Sequence, residues 1–150
     1  MRHPVRKYLF TVLAASLAML ATTLALAVEL TSLAGLEDIF GRYAPAGDCT
    51  RQPQILVELK GVTFEVAGAT ETVTNAEYAA SYGPQDYDGI SKWIFPFRIA
   101  DGYPILMTFN ANEQKGALLV EPQDEGWKGG PPLSPRNKAL VDGSPYARCK

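Results

Sequence analysis

Alternating apolar and polar residues run through the middle of the chain, and a period of two is typical of β-strands with one buried face. The clearest case is 55–66, where apolar residues alternate on both sides of Lys60-Gly61. A two-residue turn at Lys60-Gly61 would place Leu59 opposite Val62. The pattern therefore predicts a hairpin with one apolar face, made of Ile55, Val57, Leu59, Val62, Phe64 and Val66.

Further strands are predicted on either side of this hairpin. Residues 71–79 are rich in threonine and half alternating, which indicates a partly exposed strand. The strongest alternation is Trp93, Phe95, Phe97 and Ile99. Because Pro96 has no amide hydrogen to donate, we expect that strand at a sheet edge or with a bulge. Residues 105–110 and 117–121 bring the expected number to about six.

Helical spacing is confined to the two ends of the sequence that follows residue 27. Residues 31–40 place Leu33, Leu36, Ile39 and Phe40 at helical intervals, which predicts a short amphipathic helix. Near the other end, Ser134 is the expected N-cap, Pro135 the first helical residue and Gly143 the stop. We therefore predict a mainly β fold, a small antiparallel barrel or sandwich formed by a meander of about six strands, with one short helix at each end.

The first 27 residues have the pattern of a secretory signal peptide. Three basic residues precede an apolar run, and a small-residue triplet follows it: Arg2, Arg6 and Lys7, then Tyr8 to Ala21, then Ala25-Leu26-Ala27. We expect cleavage after Ala27, export to the periplasm or the medium, and one mature β domain, 28–150. Retention of the segment as a membrane anchor is the alternative, which Thr22 and Thr23 disfavour by interrupting the apolar run.

The charge of the expected mature chain limits its partners. Residues 1–27 contain three of the 14 basic residues and none of the 16 acidic ones, so residues 28–150 carry 11 basic against 16 acidic residues, a formal charge of −5. Such a chain is poorly suited to nucleic acid or to an anionic membrane. It suits a basic protein partner.

The two cysteines, Cys49 and Cys149, are predicted to form a disulfide. An even number of cysteines in an exported chain indicates pairing, and two cysteines allow only one connectivity. Free reactive thiols are the alternative. Neither cysteine has the CxxC partner or the histidine that would activate such a thiol.

Histidine is missing from the expected mature chain, because His3 is the only one. With both cysteines paired, a Ser-His-Asp triad, a Cys-His pair or a His-ligated zinc site cannot form. The chain also has no GxGxxG, P-loop or HExxH motif. We therefore expect neither a metal nor a cofactor, and no enzyme of these classes. A glycosidase-like enzyme that uses carboxylates alone is the remaining catalytic alternative, with Asp86 and Asp88 as the close pair.

Two loops supply the candidate binding residues. Residues 82–89 combine acids and tyrosines between turn-forming residues, and Trp127 lies among glycine, lysine and proline where no core periodicity accounts for it. The candidate binding residues are Tyr82, Gln85, Asp86, Tyr87, Asp88 and Trp127. For the aspartates, turn formation is the simpler explanation, and a binding contact is the alternative. Trp93, Phe95 and Phe97 are expected in the core, with an aromatic-lined ligand cavity as the alternative.

In size, export signal and expected architecture, the chain resembles the small disulfide-bonded β proteins that bacteria export to block lysozymes and other wall-degrading enzymes. This resemblance is one of general plan, and no residue role is taken from it. It implies an exported binding protein that inhibits, or gives immunity to, a protein partner of that kind. A small-molecule or lipid carrier with an aromatic-lined barrel is the alternative in another class.

Overall fold

The computed structural model describes residues 28–79, 87–100, 102–123 and 133–150. Ten strands in these residues form one antiparallel sheet. They are β1 (Val28–Glu29), β2 (Gly41–Pro45), β3 (Gln54–Glu58), β4 (Gly61–Val66), β5 (Ala69–Val73), β6 (Glu77–Tyr78), β7 (Lys92–Phe95), β8 (Ile105–Phe109), β9 (Ala117–Pro122) and β10 (Tyr146–Arg148). The same ranges contain one α-helix, α1 (Pro135–Asp142), and two 3-10 turns, Glu37–Ile39 and Ala111–Glu113.

The sheet consists of two four-stranded meanders, β6 to β9 and β2 to β5, joined by the last strand, and β1 pairs with the outer strand β6. Its strand order is β1-β6-β7-β8-β9-β10-β2-β3-β4-β5. The expected mainly β antiparallel fold is therefore confirmed, with ten described strands in place of about six. The sheet is open and curled into a half-barrel, so it is neither the closed barrel nor the two-sheet sandwich that the sequence predicted.

The short connection between β5 and β6 explains the curl. These strands are eight positions apart in the sheet order, which in a flat sheet would separate them by about 38 Å. Only residues 74–76 join Val73 to Glu77, and such a link spans about 14 Å at most. The two ends of the sheet must therefore approach each other. The Leu30 amide donates to the Ala76 carbonyl at 2.9 Å beside this gap.

The concave face of the half-barrel holds the main core. Alternate residues of the strands point into it, together with apolar residues from 33–39 and Leu140 of α1. The largest fully buried side chains are Tyr43, Tyr146, Phe64, Phe109, Leu33, Ile39, Ile55, Ile94, Ile105, Met107, Leu118 and Leu140. Burial on one face of each strand is the arrangement that the period of two predicts.

The β3–β4 hairpin forms with a register that differs from the prediction. Leu59 and Lys60 make the turn, so Glu58 is opposite Gly61 and Val57 is opposite Val62. Ile55, Val57, Val62 and Phe64 share the buried face as expected, but Leu59 is 51% exposed. The reason is that Gly61 belongs to the strand: a Cβ at this position would overlap the carbonyl of Val73 in β5.

The expected N-terminal helix over 31–40 is wrong. These residues form an irregular segment that ends in the 3-10 turn Glu37–Ile39. Gly35 interrupts the segment with a φ of 86°, which a regular right-handed helix does not contain. Leu33, Leu36 and Ile39 are nevertheless buried. Their spacing therefore reports burial under the concave face and not helical structure.

The aromatic strand also differs from its expectation. It ends at Phe95, before Pro96, and it lies inside the sheet between β6 and β8. The expected edge position is wrong, because the proline lies beyond the hydrogen-bonded residues and disturbs no ladder. Ile94 is the residue of β7 in the main core, whereas Trp93 and Phe95 lie on the opposite, convex face. Of the three aromatic residues expected in the core, Phe97 packs against the main core beside Phe64, with the ring centroids 5.0 Å apart, whereas Trp93 and Phe95 belong to a separate cluster.

Helix α1 agrees with its prediction. The Ser134 side chain accepts a hydrogen bond from the Asn137 amide at 3.2 Å, Pro135 is the first helical residue, and Gly143 ends the helix. Its Leu140 closes the concave core. The N-cap and the proline are local signals, which is why the sequence alone located this helix.

The predicted disulfide joins Cys49 to Cys149 across a sequence separation of 100 residues, and the structure contains no free cysteine in its described part. The loop that follows β2 turns back so that Gly47 packs on Ala147 of β10. The Gln54 side chain fixes this loop by donating to the carbonyls of Cys49 and Arg51 at 2.7 and 3.1 Å. The disulfide thereby ties the loop to the end of the last strand.

Candidate binding surface

One end of the half-barrel carries a connected group of polar side chains. Strand β7 begins there, β8 ends there, β9 begins there and β10 ends there, as their antiparallel pairing requires. The segments that meet at this end include 37–40, 87–91 and 110–116. We call this end of the molecule the rim, and define it by the residues Asp38, Tyr87, Asp88, Ile90, Ser91, Asn110 and Glu113.

Glu113 holds the 87–91 segment against the β8–β9 connection. Its carboxylate accepts hydrogen bonds from the Tyr87 hydroxyl at 2.5 Å, the Ile90 amide at 2.9 Å and the Ser91 hydroxyl at 3.1 Å. The Tyr87 oxygen in turn accepts from the Ser91 amide at 2.6 Å. One carboxylate therefore fixes three groups of a segment more than 20 residues away in sequence.

These contacts favour the charged form of the carboxyl group. The Tyr87 hydroxyl, the Ile90 amide and the Ser91 hydroxyl, with the nearby charge of Lys92, lower the pKa of Glu113 below its ordinary value of 4.5. Hydrogen bonds donated to a carboxylate have this effect because protonation removes an acceptor. Glu113 is therefore an anion at neutral pH and a poor proton donor.

Gly89 permits the close approach of Tyr87 and Glu113. A Cβ at this position would overlap both the Tyr87 hydroxyl and the Glu113 carboxylate. The ring of Tyr87 also packs edge-on against Trp93, with the ring centroids 5.0 Å apart. The turn at 88–90 thus lies over two contacts of Tyr87: its hydrogen bond to Glu113 and its ring packing against Trp93.

Asn110 links the turn to the segment before β2. It is 1% exposed, and its side-chain amide donates to Asp38 Oδ2 and to the Ile90 carbonyl, both at 3.1 Å. Its Oδ1 accepts from the Gly116 amide at 2.9 Å. The residue adopts the left-handed conformation, with a φ of 50°, which asparagine tolerates better than most residues. The three hydrogen bonds of its side chain thus reach three different segments of the rim.

Arg148 connects the rim to the core. Its guanidinium donates to the Asp38 carbonyl at 2.5 Å and to the Tyr43 hydroxyl at 3.1 Å. Burial raises the pKa of Tyr43 in spite of the hydrogen bond from Arg148, so the phenol stays neutral. Since Cys149 follows Arg148 directly, the disulfide fixes the strand end that carries this arginine.

The rim displays two exposed side chains on its rigid turn. Asp88 is exposed and Ile90 is 41% exposed, although the backbone of Ile90 is held at both its amide and its carbonyl. An acid and a branched aliphatic group are thus presented next to each other on a fixed backbone. Preorganisation of this kind reduces the entropy lost when a partner binds.

Of the candidate residues predicted from sequence, Tyr87 and Asp88 lie on the rim. Tyr82, Gln85, Asp86 and Trp127 lie outside the described residues. Sequence reasoning missed Glu113, Asn110, Ser91 and Asp38. The run Asn112 to Gly116 marks a turn between two alternating strands, which is the only signal that would have drawn attention to Glu113.

A second cluster covers the convex face at β6 to β8. Phe95 and Tyr103 stack with their ring centroids 4.2 Å apart, and Ala79, Leu106 and Trp93 pack beside them. The Tyr103 hydroxyl and Arg98 both bond to the buried carboxylate of Glu77. These side chains therefore pack against one another on the convex face and form a second, smaller core.

Within the described ranges, no group of three histidine, cysteine, aspartate or glutamate side chains is arranged to hold a metal ion. The described helices include none with the length and apolar character needed to cross a membrane.

Comparison of the chain with protein-family models, with curated proteins and with solved structures finds no match in any of the three.

Proposed function

We propose that this chain is an exported binding protein whose rim docks on a basic protein partner, and that the partner is a cell-wall-degrading enzyme which the binding inhibits. The disulfide is compatible with an oxidising compartment outside the cytoplasm. The general plan expected from the sequence supports the choice of partner.

One observation carries the proposal: the Glu113 carboxylate fixes a turn that exposes Asp88 and Ile90. Binding residues are often found on loops that a rigid scaffold positions. Inhibitors that fill an enzyme cleft are typically rigid in this way, because little order has to be gained on binding. The turn offers an aliphatic contact with an anionic neighbour, which fits a cleft lined by basic side chains.

The alternatives receive less support from the geometry. A carrier with an aromatic-lined barrel would place large aromatic residues around an internal cavity. Of the three residues considered for such a lining, Trp93 and Phe95 lie on the convex face, and Phe97 packs directly on Phe64. A carboxylate-only glycosidase needs one acid with a raised pKa to protonate the leaving group. Of the candidate pair, Asp86 lies outside the described residues, and the acid at the centre of the rim, Glu113, has a lowered pKa. We therefore favour binding over carriage or catalysis.

The proposal is tested by capturing partners from an envelope extract on the immobilised, oxidised chain 28–150. The test variant is Asp88→Ala/Ile90→Ala, which removes the exposed acid and aliphatic group of the rim. The matched control is Val28→Ala/Glu29→Ala. It removes an exposed valine and an exposed acid from β1, at an edge of the sheet.

The expected result is a basic wall-degrading enzyme that the wild type and the control retain and the Asp88→Ala/Ile90→Ala variant loses. A further variant, Gly89→Ala, keeps both exposed side chains but obstructs the contact between Tyr87 and Glu113. It is expected to reduce capture as well. Retention of the same protein by all variants would contradict the assignment to the rim, and capture of no such enzyme by the wild type would contradict the function.

A further inference from the structure

A second surface lies at the tip of the β3–β4 hairpin. A groove of about 690 Å³ runs between this tip and the start of β2, and its apolar walls are Phe40, Leu56 and Leu59. Leu59 is 51% exposed, although its carbonyl is fixed by the Leu33 amide at 2.9 Å. The tip is therefore held in place while its apolar side chain faces solvent.

The two residues beside Leu59 carry opposite charges. Glu58 and Lys60 are both exposed and both line the groove. Neither forms an ion pair with another described residue. The tip thus presents an acid, an aliphatic group and a base in a row, directly beside an apolar groove.

This arrangement is complementary to itself. In a contact with twofold symmetry, the two tips run in opposite directions and the same patch serves both partners. Glu58 of one copy then lies opposite Lys60 of the other, and the reverse pair forms at the same time. Leu59 of each copy then meets Leu59 of the other at the twofold axis, against the apolar walls of the two grooves.

We propose that a second copy of this chain occupies the groove, which makes the protein a symmetric homodimer through its β3–β4 tips. The inference is independent of the partner proposed for the rim. The patch is small for a protein interface, so we expect a dimer at the weak end of the range. It forms at high protein concentration and dissociates on dilution.

The pairing of Glu58 with Lys60 of the second copy is tested by exchanging their charges. Dimerisation of the oxidised chain 28–150 is measured by sedimentation velocity over a series of protein concentrations. Glu58→Lys alone and Lys60→Glu alone each place like charges opposite one another at both symmetric contacts. Each variant is expected to raise the dissociation constant of the dimer about tenfold, because the symmetry places the unfavourable pair at two contacts. The double variant Glu58→Lys/Lys60→Glu restores opposite charges and is expected to restore dimerisation. Leu59→Asp is expected to abolish it.

Matched controls separate the pairing from net charge. Glu121→Lys and Lys115→Glu change the net charge of the chain by the same amounts at exposed positions outside the groove. They are expected to leave the dimer unchanged, and circular dichroism checks that every variant is folded. A wild type that stays monomeric at all concentrations would overturn the proposal. So would single variants that dimerise as well as the wild type, or a double variant that fails to recover.

Discussion

Tyr87 and Glu113 are 26 residues apart in sequence, and the tyrosine hydroxyl donates to the carboxylate at 2.5 Å. This contact joins the segment before β7 to the connection between β8 and β9. It lies under the turn that exposes Asp88 and Ile90. This pair is therefore one of the contacts that set the shape of the proposed binding surface, together with the bonds of Glu113 and Asn110 to Ile90.

Removal of the tyrosine hydroxyl should raise the pKa of Glu113. The hydrogen bond from Tyr87 is the largest of the effects that lower this pKa, so Tyr87→Phe moves it back toward the ordinary value of 4.5. Titration of the glutamate side-chain carboxyl by NMR measures the shift. Tyr78→Phe is the matched control and should leave Glu113 unchanged; an unchanged Glu113 in Tyr87→Phe would contradict the contact.

Lowering the pH should make the rim turn less ordered. Because the folded-state pKa of Glu113 is lowered, the stabilisation is complete above its ordinary value of 4.5 and is lost as the pH falls through the lower folded-state value. Hydrogen-exchange protection of the Ile90 amide is expected to fall in that window. The Leu30 amide, which bonds to the Ala76 carbonyl, serves as the reference. An equal loss of hydrogen-exchange protection at the Ile90 and Leu30 amides would mean that Glu113 does not hold the turn.

Gly61 should tolerate no side chain. Gly61→Ala places a Cβ against the Val73 carbonyl, at a backbone φ of 143°. The control is Gly68→Ala, which also has a positive φ, of 81°, but no atom within 4 Å of its Cβ. We expect a loss of at least about 2 kcal/mol in the free energy of unfolding for Gly61→Ala and about 1 kcal/mol for Gly68→Ala. Equal losses, measured by urea denaturation, would show that the close approach of β5 is not the cause.

The disulfide should supply a large part of the stability. A closed loop of 100 residues is expected to contribute about 4 to 5 kcal/mol by the loop-entropy relation. Urea unfolding of Cys49→Ala/Cys149→Ala is expected to show that loss, and reductant should bring the wild type to the same midpoint. A midpoint that is the same with and without the bond would contradict this prediction.

The parts of the fold that the sequence predicted are those with local signals. Ser134 and Pro135 mark the start of α1, and alternation marks the buried faces of β3 and β4. The β4–β5 hairpin has a different origin: Ala67 and Gly68 make its turn, both with positive φ. Alanine gives no sign of such a turn, since asparagine or glycine is the usual residue there.

The rim was harder to predict because its contacts are distant in sequence. Asp88 and Tyr87 stood out by composition. Glu113 is an ordinary acid in a turn until the fold brings it to Tyr87, and Asn110 is an ordinary turn residue until it meets Asp38 across 72 positions. Pairing between loops at the end of a curled sheet depends on strand order, which the spacing of strands along the sequence does not contain.

The proposed function is tested most directly by the effect of the chain on the lysis of cell walls by purified basic lysozymes and lytic transglycosylases. The wild type and Val28→Ala/Glu29→Ala are expected to inhibit at least one of these enzymes with equal potency. Asp88→Ala/Ile90→Ala is expected to require about tenfold or more protein for the same inhibition. Inhibition of none of the enzymes, or equal inhibition by the rim variant, would contradict the proposed function.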